Sequence, residues 1–413
     1  MLHFISGSIF SVVIIFLLCA FRFGAASPVS IFALAYIAIA FSGFYFHQPT
    51  ETFLVLVGDV PPEAANAAFL SILSFTLIFV SGACCASYYM RSAADKVSGI
   101  LMMTGSRASV HCHVALLVCY ISLLCLIFGS GLSALFIRYE YMVEESKILK
   151  SVGGLGCFLG CFMLGCVRAK SSRETVLVWT TLICLELVFL GYSSRSVAVA
   201  PVLFAIARHG LRPTAHNSGL LFIAIAASPY FLTLPLALRG APTQGLIPLF
   251  SHPYEYITLA SGFGYSELLD NFLLSCFDIT AATSLAVDID VGYILTSLNP
   301  MPGFLTDFYS YNIGLHEFIP YNVMGEWMAF SEPLGLLFFL IVGVVFGIIH
   351  AATAIDDKLI SIVGRLPLFM FVLLSMQYST RAAMRPVYYF VCVVALIWVA
   401  SQFRSPQRRG VIN

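Results

Sequence analysis

Apolar runs, most of them within the roughly 17–25 residues that let a helix cross a bilayer core, follow one another along most of this chain. They limit what it can fold into more than any other feature. They fall at 3–21, 28–46, 66–90, 110–137, 151–167, 175–193, 195–207, 218–238, 332–353, 366–380 and 386–403. Inside lipid every backbone N–H and C=O has to be satisfied within the segment, so the expected class is all-α: a polytopic membrane protein with about 11 transmembrane helices. The runs at 195–207 and 366–380 are short for a core ~30 Å thick, which suits tilted, broken or re-entrant helices. Composition agrees: 10% of the 413 residues are charged and 60% hydrophobic, whereas a soluble domain carries roughly 25% charged residues. A net charge of zero gives no electrostatic case for binding nucleic acid.

Met1–Phe21 holds no Lys or Arg, and Arg22 follows it. A secretory signal carries its positive charge before the apolar stretch, so this segment is read as a first membrane helix that starts outside. Lys and Arg favour cytoplasmic loops. With the C-terminal tail inside, Arg138, Lys147, Lys150, Arg195, Arg239, Arg381 and Arg385 fall outside. The other two thirds of the chain's 21 Lys and Arg fall inside. The chain divides into N-terminal transmembrane helices (1–238), a large periplasmic loop (239–331), and C-terminal transmembrane helices with a cytoplasmic tail (332–413). The loop is rich in Pro and aromatic residues, and Ser266–Asp278 has apolar residues at roughly helical spacing after a Ser that can cap it. One long, partly helical outer loop is therefore expected, folded over the membrane helices as a lid. No internal repeat is evident.

The 12 Cys lie almost all in or beside apolar runs, as small packing residues between helices. Cys276 alone falls in an outer loop, and no pair has metal-binding spacing. Asp288 and Asp290 form a weak carboxylate pair without the rest of a calcium loop. Phosphate-cradling Gly loops, dinucleotide motifs and HExxH are absent. Neither a metal nor a cofactor is expected. Glu186 is the one acid in the interior of a spanning run, where an internal ion pair or hydrogen bond is the ordinary explanation and proton-coupled transport the sharper one.

The outer arginines are the more informative feature. Positive charge is disfavoured on that side, yet Arg195, Arg239, Arg381 and Arg385 sit at or near helix ends there. Each could snorkel to phospholipid headgroups. As a set they could hold a pyrophosphate, because the guanidinium fork matches phosphate oxygens. Proton acceptors in the outer loop include His316, Glu326 and Asp278.

Tyr321–His350 (YNVMGEWMAFSEPLGLLFFLIVGVVFGIIH) resembles the closing motif of bacterial oligosaccharide repeat-unit polymerases of the O-antigen type, with Gly325, Glu326, Gly335, Gly343 and Gly347 carrying the match. Leu298–Phe304 (LNPMPGF) resembles the Pro-rich stretch of their large outer loop. Tyr192–Ser196 (YSSRS) and Tyr378–Arg385 (YSTRAAMR) resemble their Arg-bearing outer turns. The resemblance spans about residues 190–400.

It implies a metal-independent glycosyltransferase of the bacterial inner membrane, acting in surface polysaccharide or lipopolysaccharide biosynthesis. The growing glycan on undecaprenyl pyrophosphate would be the donor and a new undecaprenyl-pyrophosphate-linked oligosaccharide the acceptor, at the periplasmic face. Undecaprenyl pyrophosphate would be the leaving group. On this reading Arg195, Arg239, Arg381 and Arg385 hold the pyrophosphate. Glu326 or His316, with Asp278 behind them, accepts the hydroxyl proton, and Trp327, Tyr309 and Tyr311 stack on sugars. Membrane lipids and a chain-length regulator protein would be partners. The competing readings are a membrane transporter or flippase of lipid-linked oligosaccharide, and an O-antigen ligase-like glycosyltransferase.

Overall fold

The computed structural model describes residues 12, 14–15, 23, 27–46, 60–102, 111–139, 146–194, 196–211, 214–239, 243–254, 275–286, 289–301, 321–354 and 358–403. These are almost entirely α-helical, with no strand among them. Six helices among them are long and apolar enough to cross a membrane: Pro28–Phe46 (α1), Pro62–Tyr89 (α2), Cys112–Ser130 (α4), Lys147–Cys166 (α6), Ser172–Gly191 (α7) and Glu332–Ala352 (α14). The chain is a multi-pass helical membrane protein.

The expected count of about 11 is not reached among the described residues. The run at 3–21 lies almost wholly outside them. Those at 195–207 and 366–380 correspond to shorter apolar stretches, Ser196–His209 and Gly364–Met376, within helices α8 (Ser196–Leu211) and α15 (Lys358–Gln377). The runs at 218–238 and 386–403 are helical, as parts of α9 (Ala215–Arg239) and α16 (Thr380–Phe403). The run at 110–137 is cut at Gly131, whose φ of 85° ends α4 in a conformation L side chains rarely adopt. The short α5 (Leu132–Phe136) follows it.

The chain forms two compact units, and the second interrupts the first in sequence. The first comprises 1–106 and 270–413, and holds α1, α2, α3 (Arg91–Met102), α11 (Ser275–Ala286), α12 (Val291–Leu298), α13 (Val323–Phe330), α14, α15 and α16. Its centre is the α2–α14 pair. A Cβ at Gly335 would lie 2.7 Å from Phe75 Cζ, and Cβ atoms at Gly343 and Gly347 would collide with the carbonyl oxygens of Phe79 and Ala83. These contacts advance together along both helices, so the pair is parallel and its backbones nearly touch. Lipid supplies no hydrophobic drive between helices, and such close approach is how they gain van der Waals contact.

Helix α1 packs beside them. Phe32 lies 4.1 Å from Phe79 and Phe44 4.6 Å from Phe69 between ring centroids, which sets α1 antiparallel to α2. Tyr36 donates to Ser375 Oγ at 2.9 Å, and Phe32 stacks on Phe371, so α1 runs parallel to α15. The charge-based topology starts α2 and α14 from the outer side and α1 and α15 from the inner side, in agreement with both parallel pairings.

The second unit, 107–269, holds α4 to α9 and α10 (Leu246–Ser251). Gly153 and Gly156 of α6 abut Leu126 and Ser122 of α4, an antiparallel contact. Beyond Gly131 the chain is held by Arg138, which is 9% exposed. Its backbone pairs with Gln244 (N–H to O 2.8 Å and the reverse 2.9 Å). Its guanidinium donates to Gln244 Oε1 and, at 2.7 Å, to the carbonyl of Tyr192. Tyr192 Oη in turn donates to the Gly131 carbonyl at 3.0 Å. This outer arginine is a structural tie at the end of α7.

Candidate functional site

At one end of the first unit α1 finishes, while α2, α14 and α16 begin. This is the end assigned to the outer face. The short helices α11, α12 and α13 lie there. Asn322 caps α13: its Oδ1 accepts the Gly325 amide at 2.7 Å, which satisfies one of the helix's orphan donors. Its Nδ2 donates to the Cys276 carbonyl at 2.8 Å and to Thr280 Oγ1 at 3.0 Å, tying α13 to α11. A Cβ on Gly325 would lie 2.9 Å from Thr283 Oγ1. The glycine of the Gly-Glu pair is required by that approach.

Glu326 is 0% exposed. Tyr293 Oη, on α12, donates to its Oε1 at 2.5 Å, and the Thr380 amide, first in α16, donates to its Oε2 at 2.7 Å. Burial pushes this carboxyl up to about 7, against the pull of those two donors. The same burial raises Tyr293 and Tyr321, and the neighbouring Glu326 adds to both shifts. The Tyr321 hydroxyl is buried without a hydrogen-bond partner among the described residues.

Trp327 follows. Its Nε1 donates to Thr380 Oγ1 at 3.1 Å, and its ring stacks on Phe338 at 4.4 Å. At 5% exposed it lies in the core, in place of the expected sugar platform. A buried indole needs a partner for its N–H, and Thr380 supplies it.

Thr380 leads into the arginine turn. Arg381 is 2% exposed; its guanidinium donates to the carbonyl of Thr296 at 2.6 Å and to that of Met301 at 2.5 Å. A cation in the first turn of a helix opposes the dipole of that helix. Here it satisfies backbone acceptors at the C-terminal end of α12 instead. Arg385, one turn further, is half-buried, and its Nε has no hydrogen-bond partner among the described residues.

The remaining expected site residues are distributed as follows. Asp278 is 1% exposed, in the first turn of α11. Arg239 ends α9 in the second unit, and its side chain lies outside the described residues, as do Arg195, Tyr309, Tyr311 and His316. The turn before Arg195 is described: the amides of Ser193 and Ser194 bond the carbonyls of Leu190 and Phe189, a left-handed helix cap with Ser193 at φ 49°. Such caps usually carry Gly at that position. The helix expected at Ser266–Asp278 is described only from Ser275 onward. Asp290, weighed as half of a cation pair, caps α12 by accepting the Tyr293 amide at 2.6 Å, while Asp288 lies outside the described residues. Among the described residues no group of three His, Cys, Asp or Glu could hold a metal.

The sequence reading missed Tyr293, Thr380 and Asn322. An Asn three residues before Gly325 is a legible capping signal. Nothing local in the sequence marks Tyr293 or Thr380 as partners of Glu326.

Comparison with protein-family models, with curated proteins and with solved structures found no match. The class defined here is therefore the one the helices define, a multi-pass membrane protein with a buried carboxyl–tyrosine cluster at one end of its first unit.

Proposed function

We propose that this protein polymerises undecaprenyl-pyrophosphate-linked oligosaccharide repeat units at the outer face of a bacterial inner membrane. One observation carries the reading. The two C-terminal stretches that resemble the polymerase family, the Gly-Glu segment and the late arginine turn, are in direct contact. Glu326 accepts the Thr380 amide, and Trp327 donates to the Thr380 hydroxyl. Contact between the two stretches is what a single site built from both would require.

In the proposed reaction the acceptor sugar's hydroxyl oxygen attacks the anomeric carbon of the donor glycan. The bond from that carbon to the phosphate oxygen breaks, and undecaprenyl pyrophosphate leaves with the electron pair. Cations fixed beforehand beside the leaving group stabilise the charge that develops on it. Arg385 suits that part, because it is half-buried where Arg381 is 2% exposed. Arg381 has two of its donors engaged with carbonyls and supports the turn that carries Arg385. Glu326 has a donor on each of its oxygens and Asp278 is buried, so His316 is the candidate acceptor for the hydroxyl proton.

The test uses purified protein in lipid nanodiscs, incubated with an authentic lipid-pyrophosphate-linked repeat unit. A ladder of glycans differing by one unit is expected. No ladder with an authentic unit overturns the proposal.

A further inference from the structure

The carboxyl of Glu326 joins three elements that are distant in sequence. It sits on α13, receives a hydroxyl from α12 and receives the first amide of α16. The N-terminal amides of a helix have no partner within it. That of Thr380 is satisfied here by a side chain from another helix, where a local cap would ordinarily serve. Trp327, the next residue on α13, holds the hydroxyl of the same Thr380. Arg381, the next residue on α16, reaches back to the carbonyls of Thr296 and Met301, on and just beyond α12. The first turn of α16 is thus held from α12 and from α13. Arg385 stands one helical turn beyond this anchor.

From these contacts we infer that Glu326 is a positioning residue. Its carboxyl fixes the first turn of α16 against α12 and α13, and thereby sets where the Arg385 guanidinium stands relative to a diphosphate. The inference rests on the reading of Arg385 as a diphosphate contact. Glu326 itself touches no substrate. Gln at this position can still accept the Thr380 amide and can donate its own N–H to the Tyr293 oxygen, so it keeps the geometry. Leu fills the space and keeps neither bond.

Amide hydrogen exchange on the full-length protein in nanodiscs decides the matter without reference to activity. In Glu326→Leu the peptide spanning Ser379–Arg385 is expected to exchange about tenfold faster than in wild type, with peptides from α2 and α14 unchanged. Glu326→Gln is expected to stay within about threefold of wild type. Should Glu326→Leu fail to fold, Tyr293→Phe removes one hydroxyl and keeps the ring, and should loosen the same peptide by a smaller factor. Unchanged exchange at Ser379–Arg385 in whichever of these two variants folds overturns the inference.

Inorganic pyrophosphate, titrated into the same samples, separates this inference from the functional reading. Weaker binding in Glu326→Leu with recovery in Glu326→Gln supports both. Wild type that fails to bind pyrophosphate, together with faster exchange in Glu326→Leu, removes the diphosphate role and leaves Glu326 as a structural clasp alone. Pyrophosphate binding equal in wild type and Glu326→Leu overturns the positioning role.

Discussion

Gly343 lies so close to the carbonyl oxygen of Phe79 that no Cβ fits between them. The same holds for Gly347 and Ala83 one turn later, so the α2–α14 contact is built around absent side chains. Replacing Gly343 or Gly347 with Leu is expected to cost on the order of 3 kcal/mol or more, since backbone carbonyls cannot move aside as a flexible side chain can. Thermal unfolding in detergent should show a large fall in Tm for either variant. Gly154, with open space around its Cβ position, provides the control, and Gly154→Ala should leave Tm no lower than wild type, since Ala favours a helix interior over Gly.

Arg381 and Arg385 should separate by phenotype. Arg381→Ala strips donors from two carbonyls and is expected to lower stability by about 2–3 kcal/mol. Arg385→Ala is expected to leave Tm near wild type and to reduce ladder formation about 100-fold. Thermal unfolding and the ladder assay on both variants check this. Equal loss of stability in the two would merge their roles.

Glu326 gives a pH dependence whose sign is fixed. Its carboxyl, outside the spanning helices, is raised in the folded protein from an ordinary 4.5 to about 7. Between those values the folded state holds a proton that the unfolded state releases, so stability falls as pH rises. The contribution is full below 4.5, declines through the window up to about 7, and is level above it. By the ordinary conversion the span is about 3 kcal/mol. Tm measured from pH 4.5 to 8 should decline for wild type relative to Glu326→Gln, and the difference between the two should flatten above pH 7.

Ser193 occupies a left-handed position at φ 49°, which costs a residue with a Cβ roughly 1–2 kcal/mol. Ser193→Gly should remove that cost and, after the entropy glycine loses on folding, raise stability by about 0.5 kcal/mol. A Tm below that of wild type would show that the serine hydroxyl contributes more than the backbone strain costs.

The spanning helices were legible because an unbroken apolar run of that length has few alternatives, and α1, α2, α6, α7 and α14 lie close to their expected limits. The break at Gly131 had a local signal, the run Gly129-Ser130-Gly131, but the apolar residues on both sides of it read as one continuous span. The charge pattern placed Arg138, Arg381 and Arg385 at one side without showing their partners. Two of the three bind backbone carbonyls far away in sequence, and every residue offers a carbonyl, so nothing in the pattern singles those acceptors out. Glu326 and Trp327 stood out as a motif, but their burial was hidden. A carboxyl and an indole look alike in sequence whether they face a sugar or a threonine from another helix. Thr380 and Tyr293 became visible only through the folded contacts.

The parallel pairing of α2 with α14 also constrains how the protein is made. In sequence the partners flank the entire second unit, so α2 leaves the ribosome with its glycine-accepting face uncovered. It has to wait in the membrane until α14 (Glu332–Ala352) has been translated. A nascent chain released before α14 should therefore expose α1 and α2 to membrane quality-control proteases, while the second unit, whose helices are contiguous in sequence, can already have assembled.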